Sequence, residues 1–447
     1  MGLNTIHRTS LPYRILYFFA RFFFGLYYRR FIIVGRENIP KDVQIIFASN
    51  HQNALMDALS ILFGYGKPVV FLARADMFKK QFFARLLYFV KILPVFRPRD
   101  GMDSMSQNYE TFSRTAKVLK AGLPIGILPE GTHSPIKKLQ PLKKGICRIA
   151  FLTAETEEFK SEIMIVPMGI DYTHYSRAGT DLLLQYGKPI PVSEYYSLYQ
   201  ENPQKAITQL RDRLSQAIHN LMIDARNEEF YQTYLRLSSM LPQPHAPHPH
   251  EARVASFYQT QSLINKLDEQ LPENKEWMEQ LSSQTSAYFK KLRLLGLRDR
   301  LLQQKPPSLL TLILNTLLSL MAMVVHIPGM LFNYIPYKLP VLLAAKVRDK
   351  QFVATLHYGF GLVLFFFWYL IAGIIILLIS GSLLSTLLFL VIAALSGIFS
   401  FYHYSRIKAL LGSYRLWNLK RKNNQLKVLL EERSQIMSAL KEKQMIS

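Results

Sequence analysis

The chain has 447 residues, enough for two or three domains, and 54 Lys and Arg against 31 Asp and Glu give it a net charge of +23. An excess of that size selects a polyanionic partner. With 49% apolar residues, many gathered into long C-terminal runs, that partner is a membrane surface and not nucleic acid. A single cysteine, Cys147, excludes an intramolecular disulfide and a multi-cysteine metal site.

Residues 1–31 contain LPYRILYFFARFFFGLYYRR, which Arg14 and Arg21 interrupt and which lacks a small-residue cleavage site, so a signal peptide does not fit. The pattern predicts an interfacial membrane helix, with Arg14, Arg21, Arg29 and Arg30 in the headgroups and Phe and Leu in the acyl region. A core helix packed on the next domain is the alternative.

Across residues 32–240, short β-branched runs alternate with helical patterns. Strands are predicted at VQIIFAS, PVVFLA, PIGILP, IMIVPMGI and DLLLQYG, and helices near 53–64, 76–90, 106–121, 145–157 and 203–225. Such alternation predicts a layered α/β domain. The near-continuous apolar strands predict a mostly parallel sheet covered by helices on both faces.

Four blocks in this domain carry chemical side chains. The first, FASNHQNALMDALSIL, places His51 and Asp57 where an apolar strand hands over to a helix. On one continuous helix, six positions leave the two side chains about 120° apart. They meet only if His51 precedes the helix, with Asn53 at its N-cap, and Asp57 reaches back from the first turns. An imidazole backed by a carboxylate suits proton abstraction, whereas a buried His–Asp hydrogen bond without catalysis is the plainer reading. The second block, ILPVFRPRDG, offers Arg97 and Arg99 after an apolar run, and arginine binds phosphate bidentately. The third, GILPEGTHSP, turns at Gly131 between Glu130 and Thr132 and continues into His133. The fourth, IVPMGIDYTHY, holds Pro167. Cys147 lies in an apolar helical pattern and is assigned to core packing, while His51, His133 and His174 lack metal-ligand spacing.

Residues 241–305 begin with LPQPHAPHPH, whose four prolines and three histidines predict a linker, followed by a charged helical stretch. Residues 306–405 form a predicted membrane region. The runs 359–380 and 383–402 make a helical hairpin about Gly381 and Ser382, and 308–335, broken by HIPGM at 326–330, is re-entrant or interfacial. Six basic residues in 290–305, four in 338–350 and six in 406–422 then share one side, the cytoplasmic one by the positive-inside rule. The tail, 406–447, reads as a basic amphipathic helix on anionic lipid or as a self-associating one.

Taken in order, the four blocks resemble the glycerolipid acyltransferase superfamily of glycerol-3-phosphate and 1-acylglycerol-3-phosphate (lysophosphatidate) O-acyltransferases, over roughly residues 30–225. The resemblance implies His51 as general base and Asp57 as its orienting partner. It implies an acceptor and phosphate side formed by Arg97, Arg99, Glu130, Gly131, Thr132 and His133, and an acyl-donor side at Pro167. No metal or cofactor is implied, since acyl-CoA or acyl-carrier protein enters as co-substrate. Three departures stand out. Five residues separate His51 from Asp57 where four are usual, His133 replaces an arginine, and Lys91 replaces a glycine. The spacing, with LQPLKKGICRIAF and LLLQYGKPIPV, is similar to the glycerol-3-phosphate/dihydroxyacetone-phosphate branch. A lysophosphatidate acyltransferase, a lipid hydrolase using the same pair on water, and a silent membrane scaffold are the other readings.

Overall fold

The computed structural model describes Ile6 and residues 9–96, 104–134, 136–304, 306–347, 349–421 and 424–446. The chain divides into two compact units, Met1–Ile223 with Lys346–Tyr358, and Asp224–Ala345 with Gly359–Ser447.

The first unit is a sheet with helices. Its strands are β1 (Arg30–Val34), β2 (Gln44–Ser49), β3 (Val70–Arg74), β4 (Ile92–Val95), β5 (Ile125–Ile127), β6 (Ile163–Tyr172), β7 (Asp181–Tyr186) and β8 (Ile190–Pro191). Its helices are α1 (Leu11–Tyr27), α2 (Ala54–Tyr65), α3 (Gln81–Phe89), α4 (Ser104–Lys120), α5 (Gly145–Thr156), α6 (Tyr196–Glu201) and α7 (Pro203–His219). The strand order is β1-β7-β6-β2-β5-β3-β4, with β8 also on β6. Among the described strands only β6–β7 and β6–β8 pair antiparallel. Central strands shielded on both faces have no use for polar alternation, and Ile46, Phe47 and Ala48 of β2 are all fully buried.

Pro167 sits inside β6 without breaking it. On one side it pairs in register with Ala48. On the other side β8 pairs only with Met164 and Ile165, and the pairing with β7 begins at Met168. The missing N–H therefore falls in the gap between two ladders, where no partner requires it.

The expected boundary at 31/32 cuts through β1. Arg29 and Arg30, expected to meet headgroups, both clamp Asp181 at the start of β7, Arg29 by Nε at 2.9 Å and Nη2 at 2.8 Å. A buried carboxylate needs such partners, and here it gets two. α1 buries Tyr13, Phe24 and Tyr27 against the unit and leaves Leu11, Ile15, Phe18 and Phe22 exposed.

The second unit is helical: α8 (Tyr231–Met240), α9 (Pro249–Gln270), α10 (Lys275–Leu294), α11 (Asp299–Leu302), α12 (Leu309–Ala345), α13 (Val353–Ser380, whose first turns belong to the first unit), α14 (Leu383–Arg421) and α15 (Asn424–Glu442). Residues 242–248 are irregular, and α9 starts at Pro249, where a proline costs no hydrogen bond. α15 does not present its apolar face to lipid. It packs on α10 with Leu429 and Leu440 buried, and Asp299 ties the group by accepting from Tyr288 Oη at 2.6 Å and Arg433 Nε at 3.0 Å.

α12, α13 and α14 are each long and apolar enough to cross a membrane. α12 and α14 are antiparallel: Thr316 meets Tyr414 at 2.7 Å, and Asn333 donates to the Ala393 carbonyl at 3.0 Å. Three consecutive full crossings would make them parallel instead. α12 remains helical through 326–330, where the sequence suggests a break. Its advance along α14 reverses later, because Tyr337 packs on Phe401 instead of continuing past Ala393. Buried Pro336 falls at that point, and proline is a common cause of helix bends.

Candidate active site

β2 ends at Ser49 and α2 begins at Ala54, and the four residues between them are folded by their own polar groups. Asn50 continues the sheet with its side chain. Its Nδ2 donates to the Ile170 carbonyl at 3.0 Å, and its Oδ1 accepts from the Ile170 N–H at 2.8 Å. Asn53 donates to the Tyr175 carbonyl at 2.6 Å. It stands at the N-cap position but makes no side-chain cap; Asp57 satisfies the helix start instead.

Asp57 is fully buried, and both of its oxygens are occupied. Oδ2 accepts from His51 Nδ1 at 2.8 Å and from the backbone N–H groups of Gln52 and Asn53 at 2.8 and 2.7 Å. Oδ1 accepts from Tyr172 Oη at 2.7 Å. Burial, followed by the adjacent Asp57 charge, pushes the Tyr172 phenol well above its ordinary value, so it stays a donor. The five-residue spacing works because two residues of turn precede the helix and the carboxylate reaches back over them. His51 Nδ1 is thereby fixed, and Nε2 is the ring nitrogen directed away from Asp57. The His51 side chain is 12% exposed, so the imidazole looks out from an otherwise closed turn.

The Pro-Glu-Gly-Thr loop follows β5, the neighbour of β2, so both motifs leave the sheet at its C-terminal edge, where open α/β sheets bind ligands. Glu130 turns to the backbone of the catalytic turn. It is buried, with Oε1 accepting from the His51 N–H at 2.7 Å and Oε2 from the Gln140 N–H at 3.2 Å. Ser134 N–H returns to the His51 carbonyl at 3.1 Å, so the loop grips the His51 backbone on both sides. Gly131 has φ +70°, which requires a residue without Cβ strain, and Thr132 beside it is exposed.

His133 comes close, its ring 5.2 Å from that of His51. Burial, then the neighbouring His51, lowers its pKa, so at neutral pH it is an uncharged imidazole and a poor substitute for a phosphate-binding arginine. Among the lysines near the loop, Lys143 runs its stem over Gly131, while Lys144 turns to Gln204. Arg97 and Arg99 lie outside the described residues. Arg74, at the end of β3, is among the charges acting on His133 and pairs with Asp76.

Lys91 explains one departure from the expected pattern. Its φ is +64°, the left-handed region that favours glycine, and its Nζ is held by the Ile6 carbonyl over the Tyr13 ring. Pro167 is buried in β6. Cys147 is fully buried in α5, and burial pushes its thiol up to about 12, which removes it as a nucleophile. Asn50 and Tyr172 had no signal of their own in the sequence, since only the pairing of β6 beside β2 brings Ile170 and Tyr172 to this turn.

Residues 30–171 match the family model described as Acyltransferase. Glycerol-3-phosphate O-acyltransferase 2 of Saccharomyces cerevisiae is 28% identical over 119 residues, 26% of this chain and 16% of that protein. The 1-acyl-sn-glycerol-3-phosphate acyltransferase of Borreliella burgdorferi is 31% identical over 124 residues, 28% of this chain and 47% of that protein. The solved 1-acyl-sn-glycerophosphate acyltransferase of Thermotoga maritima is 22% identical, with 45% of this chain and 78% of that chain covered at a TM-score of 0.32. The matches thus span less than half the length of either curated relative.

Proposed function

We propose that this chain, whose residues 30–171 belong to the acyltransferase family, transfers a fatty acyl group from a thioester donor to a hydroxyl of glycerol 3-phosphate. One observation carries the reading. His51 Nδ1 is held by a fully buried Asp57 that is itself fixed by two backbone N–H groups and Tyr172, and Nε2 is left to work at the sheet edge.

Nε2 takes the proton of the acceptor hydroxyl as its oxygen attacks the thioester carbonyl, forming a tetrahedral intermediate. Asp57 stabilises the imidazolium formed in that step. Collapse of the intermediate breaks the C–S bond, and the imidazolium returns its proton to the departing thiolate of CoA or acyl-carrier protein. The resemblance of their block assigns Arg97 and Arg99 to the acceptor phosphate, and Lys143, whose stem lies over Gly131, adds a positive charge beside the Pro-Glu-Gly-Thr loop.

A 1-acylglycerol-3-phosphate acceptor is the second reading, since one matched relative carries that activity in its name and the other carries the first. Purified protein with labelled palmitoyl-CoA and a panel of glycerol 3-phosphate, dihydroxyacetone phosphate and lysophosphatidate separates them. Labelled ester with one acceptor, lost in His51→Ala, supports the reading. Free fatty acid as the sole product would make the protein a hydrolase, and no turnover at all would make it a scaffold.

A further inference from the structure

The segment joining α12 to α13 belongs to the same compact unit as the catalytic turn. Its short 3-10 turn, Lys350–Phe352, packs against α2, the helix that carries Asp57. The Phe352 ring meets His133 edge-on with centroids 5.0 Å apart. Asp349 Oδ2 stands 3.8 Å from His133 Nε2, too far for a hydrogen bond and close enough to share a third partner. That nitrogen is buried and bonds no side-chain or backbone acceptor among the described residues. A buried imidazole nitrogen left this way is costly and calls for a partner. The Asp349 side chain is 50% exposed, so the carboxylate side of this corner is open to solvent.

We infer that Asp349 and His133 form a subsite for a second hydroxyl of the acceptor, next to the one His51 deprotonates, with Phe352 as its wall. A hydroxyl is the group that satisfies both neighbours at once: it donates to the carboxylate and accepts from the imidazole N–H. An oxygen about 2.8 Å from each completes a triangle on the 3.8 Å base. A phosphate is excluded from this corner, because a carboxylate faces it and the imidazole is uncharged. The His51 and His133 rings stand 5.2 Å apart, a separation at which two hydroxyls on adjacent carbons can each meet one ring. The subsite therefore selects a diol phosphate over an acceptor with one free hydroxyl. It rests on the acyltransferase reading and sharpens the choice of acceptor within it.

The test compares glycerol 3-phosphate with 3-hydroxypropyl phosphate, which keeps the phosphate and a primary hydroxyl but lacks the second one. Both are assayed with palmitoyl-CoA and the full-length protein. The wild type is expected to favour glycerol 3-phosphate in kcat/KM. Asp349→Ala and His133→Phe are each expected to collapse that ratio by ~10- to 100-fold, the scale of a lost hydrogen bond to a charged or buried group. Phe352→Ala moves it in the same direction. A ratio preserved while both acceptors lose activity together would make the segment merely structural and overturn the subsite. A wild type that acylates lysophosphatidate but not glycerol 3-phosphate overturns the subsite and leaves the acyltransferase reading standing. A wild type that acylates nothing overturns both.

Discussion

At the scale of single residues, the catalytic turn depends on how completely one carboxylate is satisfied. Asp57 holds His51, starts α2 and receives the Tyr172 phenol, so each neighbour constrains the imidazole. Asp57→Asn keeps the shape but removes the charge that supports the imidazolium, and turnover is expected to fall by about 10⁴-fold. Tyr172→Phe strands one buried carboxylate oxygen. It should cost ~1–3 kcal/mol in thermal unfolding and lower turnover far less than the Asp57 change. Equal losses of turnover in the two variants would show that the tyrosine does more than hold Asp57. On the acceptor side, Arg97→Ala should raise the acceptor KM by about 10- to 150-fold and leave the donor KM alone, as loss of one charge-assisted contact predicts. Michaelis constants that rise together would make Arg97 structural.

At the scale of elements, the Arg29–Asp181–Arg30 clamp joins the end of α1 to the edge of the sheet. Burial alone would raise the Asp181 pKa, but hydrogen bonds from both guanidinium groups outweigh it and hold the carboxyl at about 2. The folded value lies below the unfolded one. The clamp therefore stabilises fully above about pH 4, and its contribution is lost as pH falls from there towards 2. The amount is about 2 kcal/mol. Melting temperatures of detergent-solubilised protein across that range should drop more steeply in the wild type than in Asp181→Asn, and identical slopes would refute the clamp. The basic pair at 29–30 looked like a headgroup contact because Asp181 is remote in sequence, and only the β1–β7 pairing brings the two together.

At the scale of the whole molecule, the apolar helices carry a topological constraint that hydropathy cannot. If α13 and α14 cross as a hairpin and α12 enters and returns at Pro336, the connector at 346–352 and the chain after 405 share a side, and only 381–382 reaches the other. Single cysteines in a Cys147→Ser background check this from outside intact cells. Ser382→Cys should label, while Lys346→Cys and Lys408→Cys should stay protected. Labelling at Lys346→Cys with protection at Lys408→Cys would make α12 a full crossing. The positive-inside rule predicts that the shared side is the cytoplasmic one, since it would collect six, four and six basic residues from 290–305, 338–350 and 406–422.

The sequence by itself determined the α/β class, five of the strands, the long apolar helices and the His51–Asp57 turn. These depend on local periodicity, on composition and on residues six apart, all visible along the chain. β1, β4 and β8 were not among the predicted strands, and length alone does not set them apart, since the three-residue β5 was found inside the longer apolar run PIGILP. Tertiary structure alone decided what each polar group faces. It set Glu130 against the His51 N–H, brought Tyr172 to Asp57 from 115 residues away, and set Asp349 beside His133. Burial, charge and hydrogen bonding depend on neighbours in space, and a sheet with crossed strand order draws those neighbours from distant parts of the chain.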